Sequence, residues 1–173
     1  MAQAPACLFS AEAIAARVSE LAREIRRRFP DGPLTLLGVL HAAAHFAVDL
    51  ARSLAPPLEL TFVTARSYGA GTVSSGRVEV GELEGEVMKG RRVVVVDTVL
   101  DTGRTLRAVV DLARGRGAAE VAACVLVEKN ARREREFAPD WIGFAAGAEF
   151  LVGYGLDHGG RYRSLPYIGS LDG

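Results

Sequence analysis

The stretch VVVVDTVLDTGRTL, residues 93–106, decides how this chain is read. Val93 to Val96 show no polar alternation, so both faces of the strand they form must be covered, as in the middle of a parallel sheet. Asp97 ends the run, and Asp101-Thr102-Gly103-Arg104-Thr105 turns into a helix expected over about residues 104–114, ended near Gly115 and Gly117. In open parallel sheets ligands bind beyond the carboxyl ends of the strands, and a helix start offers backbone N–H groups and the positive end of its dipole. A phosphate fits such a turn. Thr102 and Thr105 add hydroxyl donors, and Gly103 lets the backbone approach closely. The competing structural reading is that Asp101 and Thr102 only cap the helix. An apolar strand, an acid at its tip, a second acid four residues later and a hydroxyl-glycine turn together favour the phosphate.

Working outward, Ile14, Val18, Leu21, Ile25 and Phe29 recur at spacings of three and four, with Ser10 placed to cap a helix and Pro30-Asp31-Gly32 to end it. Residues 34–40 read as a buried strand, 42–54 as a helix and 58–64 as a strand after Pro56-Pro57. The segment RSYGAGTVSSG, 66–76, holds three glycines and four serine or threonine side chains around a single tyrosine, and reads as a mobile loop serving a site. Further strands are expected at 121–127, 141–144 and 150–154. The alternation of strand and helix predicts a doubly wound α/β domain.

Composition narrows the function classes. The 173 residues are one domain's worth, 49% hydrophobic and 24% charged, within the range of ordinary globular proteins. The 21 Lys+Arg balance 21 Asp+Glu, so no net field recruits nucleic acid or a membrane surface. The longest stretch without charge, Gly32 to Val48, is 17 residues and contains Pro33, Gly38 and two histidines, which suits no membrane span. Glu12 precedes the first base, Arg17, so a secretory leader is not expected. Cys7 and Cys124 form no metal or disulfide spacing, and a reducing cytoplasm is the expected compartment. Lys89 and Lys129 are the only lysines against 19 arginines. A lysine kept in so arginine-rich a chain points to a task that a compact donor performs and a planar fork does not.

The strand, acidic positions and Asp-Thr-Gly turn resemble the signature with which type I phosphoribosyltransferases grip phosphoribosyl pyrophosphate. Four other blocks, in order, resemble the hypoxanthine-guanine branch: LLGVLHAAAHFAVDL (36–50), RSYGAGTVSSGRVEV (66–80), LVEK (126–129) and PDWIGF…FLVGYGLD (139–157). The resemblance implies a type I phosphoribosyltransferase fold: one α/β domain spanning 1–173, a mostly parallel sheet flanked by helices as a core of about 10–135, a small hood of about 139–173, and a mobile loop. It implies purine salvage, in which hypoxanthine or guanine and phosphoribosyl pyrophosphate give IMP or GMP and pyrophosphate with Mg²⁺. It also implies a homodimer or homotetramer.

By the same resemblance, Thr102, Gly103, Arg104 and Thr105 hold the 5-phosphate and Asp97 and Thr98 the ribose. Asp101 faces the purine as its acid-base group. Lys129 bonds the 6-oxo group, Phe150 stacks on the base and Leu151 offers backbone to its edge. Leu40, His41 and Arg163 take pyrophosphate, Asp157 takes Mg²⁺, and Ser67 and Tyr68 belong to the lid. Without the resemblance, Phe150 reads equally as core packing, and Asp157 and Arg163 as a solvated pair.

Two departures from the family pattern stand out. Thr98 replaces the second of two adjacent acids at the strand tip, which keeps a hydrogen-bonding hydroxyl and loses a charge. Leu40-His41-Ala42-Ala43 replaces a Leu-Lys-Gly-Gly loop, losing a fixed cation and two glycines. His41 has two readings, a protonated substitute for the lysine or a neutral residue at a strand end. His45, one turn later, has no evident third ligand and reads as packing. These departures motivate a rival reading, a catalytically weak or inactive nucleotide-binding regulator on the same fold. An RNA-binding pyrimidine regulator needs a basic face that the balanced charge does not advertise.

Overall fold

In this computed structural model the described residues are 4–67, 78–81, 88–129 and 137–171. In chain order their elements are β1 (Ala6–Phe9), α1 (Ala11–Arg28), β2 (Leu34–Leu40), α2 (Ala44–Leu54), β3 (Leu58–Ser67), β4 (Val78–Val80), β5 (Arg92–Leu100), α3 (Arg104–Gly115), β6 (Glu120–Lys129), β7 (Trp141–Ala146), β8 (Leu151–Val152) and β9 (Ile168–Ser170).

The valine run occupies the place its composition demands. β5 lies inside a six-stranded sheet of order β4-β3-β2-β5-β6-β7, parallel except for β4. Val94 and Val96 bury themselves under α1 and α2, with Ile14, Val18, Leu21 and Phe46. Val93 and Val95 bury themselves on the opposite face under α3, with Leu106, Val109 and Val110. Each large aliphatic side chain removed from water in this way is worth about 1.5–3 kcal/mol, so the two layers fix which way β5 faces. The Ser10 side chain accepts from the Ala13 N–H at 3.2 Å to start α1.

A second, three-stranded antiparallel sheet, β1-β9-β8, stands at one end. Phe9 stacks on Phe144 of β7, ring centroids 4.4 Å apart, and ties the small sheet to the large one. β1 and β9 have too few residues to show a period, and their pairing partners are more than 150 residues apart in sequence. Within the segment 139–173, Trp141–Ala146 is a strand of the large sheet, and the small sheet draws β1 from the other end of the chain.

Other boundaries moved for local reasons. The second helix starts at Ala44 and not at 42, because His41 to Ala43 form a turn in which Ala43 N–H donates to Val39 O at 3.1 Å and Ala44 N–H to His41 O at 3.3 Å. Arg66 and Ser67, expected in the loop, extend β3, paired to Glu79 and Val78. Of the expected strand at 150–154 only Leu151 and Val152 pair as β8. Tyr68 and the rest of the expected loop, up to Gly76, lie outside the described residues. No described helix is long and apolar enough to cross a membrane.

Candidate active site

Parallel pairing aligns the carboxyl ends of β2, β5 and β6 along one sheet edge, with Gly38 beside Val96 and Leu100 beside Glu128. Leu40, the Asp97 to Leu100 segment and Lys129 therefore stand at the same edge. The turn from β5 into α3 closes a cleft of about 90 Å³ whose lining includes Asp97, Asp101, Thr102, Gly103 and Thr105.

Gly103 is the N-cap of α3 at φ +83°, with no side-chain cap. The N-cap position is Gly103 itself, and the helix-capping reading keeps one contact from Thr102. Thr102 Oγ1 makes only a long contact, 3.4 Å, from the Arg104 N–H. A Cβ on Gly103 would meet the Phe137 backbone oxygen at 3.1 Å and nitrogen at 3.2 Å, so both conformation and space favour glycine. A helix start with glycine at its N-cap, over a cleft flanked by two threonine hydroxyls, is built to receive an anion. Arg104 is half-buried and does not line the cleft.

Asp97 opens onto this cleft with Oδ1 accepting the Thr98 N–H at 2.7 Å. Burial pushes its carboxyl up from 3.8 to about 7, and the Thr98 N–H offsets only part of that. Thr98 is fully buried, 0% exposed, with Oγ1 lacking a hydrogen-bond partner among the described residues, so the structure leaves it out of the cleft. The physical reason is strand alternation: Thr98 follows Val94 and Val96 on one face, and Asp97 follows Val93 and Val95 on the other. Asp101 is exposed at the cleft's mouth.

Lys129 ends β6 half-buried, beside Ala146 of β7. Phe150 is 45% exposed, which removes the core-packing reading, and meets His158 edge-on with centroids 5.2 Å apart. Leu151 is buried and paired with Ser170, so what it can present is backbone.

Sequence reasoning separated Leu40-His41-Ala42-Ala43 from Asp157 and Arg163 by more than a hundred residues, and the fold joins the two segments. A Cβ on Gly155, which sits at φ +97°, would overlap the Ala42 carbonyl oxygen and stand 3.2 Å from His45 Nδ1. The Gly155 carbonyl in turn accepts from Arg163 Nη1 at 2.6 Å. His41 and His45 are both exposed, and His45 lies 5.9 Å from the Tyr154 ring where packing was expected to bury it. Asp157 is paired, as the structural reading held, with Oδ1 on Arg163 Nη2 at 2.7 Å and Oδ2 accepting the Gly160 N–H at 2.7 Å. No three His, Cys, Asp or Glu side chains among the described residues stand together to cage a metal. Mg²⁺ is commonly held by one or two carboxylates plus substrate phosphates. One partly exposed carboxylate fits an ion that arrives on phosphate oxygens. Ser67 closes β3, and Tyr68 lies outside the described residues.

Sequence reasoning missed Asp49 and Tyr154, which join in a 2.7 Å hydrogen bond across this region. The one available signal was the aromatic residue between two glycines in Gly153-Tyr154-Gly155.

Comparison with known proteins agrees with this layout. The family described as Phosphoribosyl transferase domain matches residues 7–158. The chain is 37% identical over 160 residues to the hypoxanthine phosphoribosyltransferase of Salmonella typhimurium, covering 91% of this chain and 90% of that one. It is 40% identical over 164 residues to the bifunctional protein TilS/HprT of Listeria monocytogenes, covering 95% of this chain and 25% of that protein, so it spans about a quarter of that longer relative. Among solved structures, a hypoxanthine-guanine phosphoribosyltransferase from Bacillus anthracis superposes with a TM-score of 0.90 at 32% identity, covering 98% of this chain and 99% of that chain. A hypoxanthine phosphoribosyltransferase from Staphylococcus aureus gives a TM-score of 0.88 at 31% identity, covering 95% and 89%.

Proposed function

The chain belongs to the phosphoribosyl transferase domain family, and from that premise we propose that it is an enzyme of purine salvage, transferring the phosphoribosyl group of phosphoribosyl pyrophosphate to hypoxanthine or guanine. The observation that carries the reading is the glycine-capped α3 start at the carboxyl edge of the sheet, with Asp97 and Asp101 on the same cleft. That pairing of an anion cradle with two carboxylates suits a sugar phosphate whose hydroxyls and reacting carbon lie just beyond the phosphate.

The residues then divide the work. Backbone and hydroxyl groups of Thr102, Gly103 and Thr105 hold the 5-phosphate, with Arg104 beside them. Asp97 accepts ribose hydroxyls, and Thr98 supports it by donating its N–H to the carboxylate. Lys129 donates to the purine 6-oxo group, Phe150 offers its exposed ring to the base, and Leu151 offers backbone. A nitrogen of the purine forms the bond to the anomeric carbon as the bond from that carbon to pyrophosphate breaks, and Asp101 receives the proton the purine loses. Leu40, His41 and Arg163 receive the departing pyrophosphate. Asp157 would hold Mg²⁺, which would supply positive charge to the leaving group when bound. Ser67 and Tyr68 contribute to the lid that keeps water from the reacting carbon. The enzyme works in the cytoplasm as a homodimer or homotetramer.

Purified protein given Mg²⁺, phosphoribosyl pyrophosphate and hypoxanthine, guanine or xanthine in turn is expected to consume at least one of the first two bases, read by absorbance and chromatography of the nucleotide. Consumption of none of the three refutes the enzymatic reading. The regulator reading then requires tight binding of IMP or GMP with little Mg²⁺-dependent affinity for phosphoribosyl pyrophosphate.

A further inference from the structure

Two hollows of about 300 and 350 Å³ flank α2 and share His45 and Asp49. Tyr154, in the wall of the larger one, has features that packing alone does not require. It is 6% exposed and lies at φ +49°, a left-handed conformation unfavourable for any residue with a Cβ. Such strain persists only where the surroundings over-determine it, and it gathers at functional turns. Two contacts hold it here: the Tyr154 N–H donates to Leu165 O at 2.9 Å, and the hydroxyl donates to Asp49 Oδ2 at 2.7 Å. Burial first, and then the Asp49 hydrogen bond, push the hydroxyl's pKa up, so it stays a donor at any working pH.

The position of the bond gives it a consequence. Asp49 is on α2, whose first turn is anchored on the His41 to Ala43 turn through the Ala47 N–H to Ala43 O bond at 2.8 Å. Tyr154 directly precedes Gly155, which presses on the Ala42 carbonyl and accepts from Arg163, whose other nitrogen holds Asp157. One hydrogen bond thus closes a loop of contacts running from α2 through Tyr154 and Gly155 back to Ala42, with Arg163 and Asp157 attached to it at the Gly155 carbonyl. Leu151 and Val152 are held separately, by pairing with β9.

We propose that Tyr154, through its hydrogen bond to Asp49, is a positioning residue that holds the Leu40–Ala43 segment and the Arg163–Asp157 pair in register for the pyrophosphate half of the reaction. This rests on the reading above that those groups serve pyrophosphate. Tyr154 touches no reacting atom, so its loss falls on binding of phosphoribosyl pyrophosphate and spares the purine side.

The test is steady-state kinetics on Tyr154→Phe, Asp49→Ala, the double variant and Asp49→Asn, with pyrophosphate titrated by calorimetry in the presence of Mg²⁺. Tyr154→Phe and Asp49→Ala are each expected to raise KM for phosphoribosyl pyrophosphate about five- to tenfold, a change worth about 1–1.4 kcal/mol, with kcat and the purine KM within twofold. The double variant is expected to be no worse than either single one, and Asp49→Asn, which keeps an acceptor, to restore KM to within twofold of wild type. Tyr154→Phe with an unchanged KM for phosphoribosyl pyrophosphate, or with equal losses in kcat and both KM values, overturns the proposal. Wild-type protein that turns over no purine overturns the functional reading instead. In that case the calorimetry still decides the positioning role, since weaker pyrophosphate binding in Tyr154→Phe supports it and equal binding refutes it.

Discussion

Replacing Asp97 with asparagine is expected to make the ligand-free protein harder to unfold at neutral and alkaline pH, with little effect near pH 4. Burial raises the Asp97 carboxyl from 3.8 to about 7 in the folded protein. Below 3.8 the group is protonated whether the chain is folded or not, and it costs nothing. As pH rises from 3.8 the unfolded chain releases the proton while the folded chain keeps it, so stability falls until pH passes about 7, where both states are ionised and the penalty levels off. At about 1.4 kcal/mol per pH unit, the interval from pH 5 to pH 7 amounts to roughly 3 kcal/mol. Water entering the cleft screens the carboxylate, and about 1–3 kcal/mol is the expected gain of the variant over wild type between pH 5 and pH 8. Asparagine keeps an oxygen to accept the Thr98 N–H, so the comparison isolates the charge. Urea unfolding curves at pH 5, 6, 7 and 8 measure it. Wild type and variant losing stability in parallel across that range would falsify the reasoning, since the Asp97 carboxylate would then be no worse off folded than unfolded.

Three further outcomes are expected. Asp101→Asn lowers turnover about 10²–10⁴-fold while nucleotide affinity, read by calorimetry, changes less than about threefold; equal losses would remove Asp101 from the acid-base role. Gly103→Ala loses about 1–2 kcal/mol of stability from the left-handed conformation alone and crowds the Phe137 backbone, so inorganic phosphate should protect the variant less against thermal unfolding than it protects wild type. Cys124 is buried, with burial pushing its thiol pKa up, whereas Cys7 is exposed; iodoacetamide is expected to label Cys7 alone in the native protein and both in urea, and rapid labelling of native Cys124 would contradict the packing described.

Much of this molecule was legible from local patterns. The valine run, the stripe from Ile14 to Phe29 and the hydroxyl-glycine turn each carry their instruction within a few residues, because burial period and turn chemistry are local properties. They placed the central strand, the first helix and the turn into α3. Only the tertiary structure decided the rest, where the determining contacts join distant parts of the chain. β1 exists because β9 pairs with it, and neither has enough residues to announce a strand by itself. Thr98 leaves the cleft because alternation along β5 turns it toward the α1 and α2 layer, although in sequence it stands directly beside Asp97. Asp49 and Tyr154 meet across 105 residues, and the Ala42 carbonyl meets Gly155. A contact of that kind depends on how whole layers pack, and no window of sequence contains both partners.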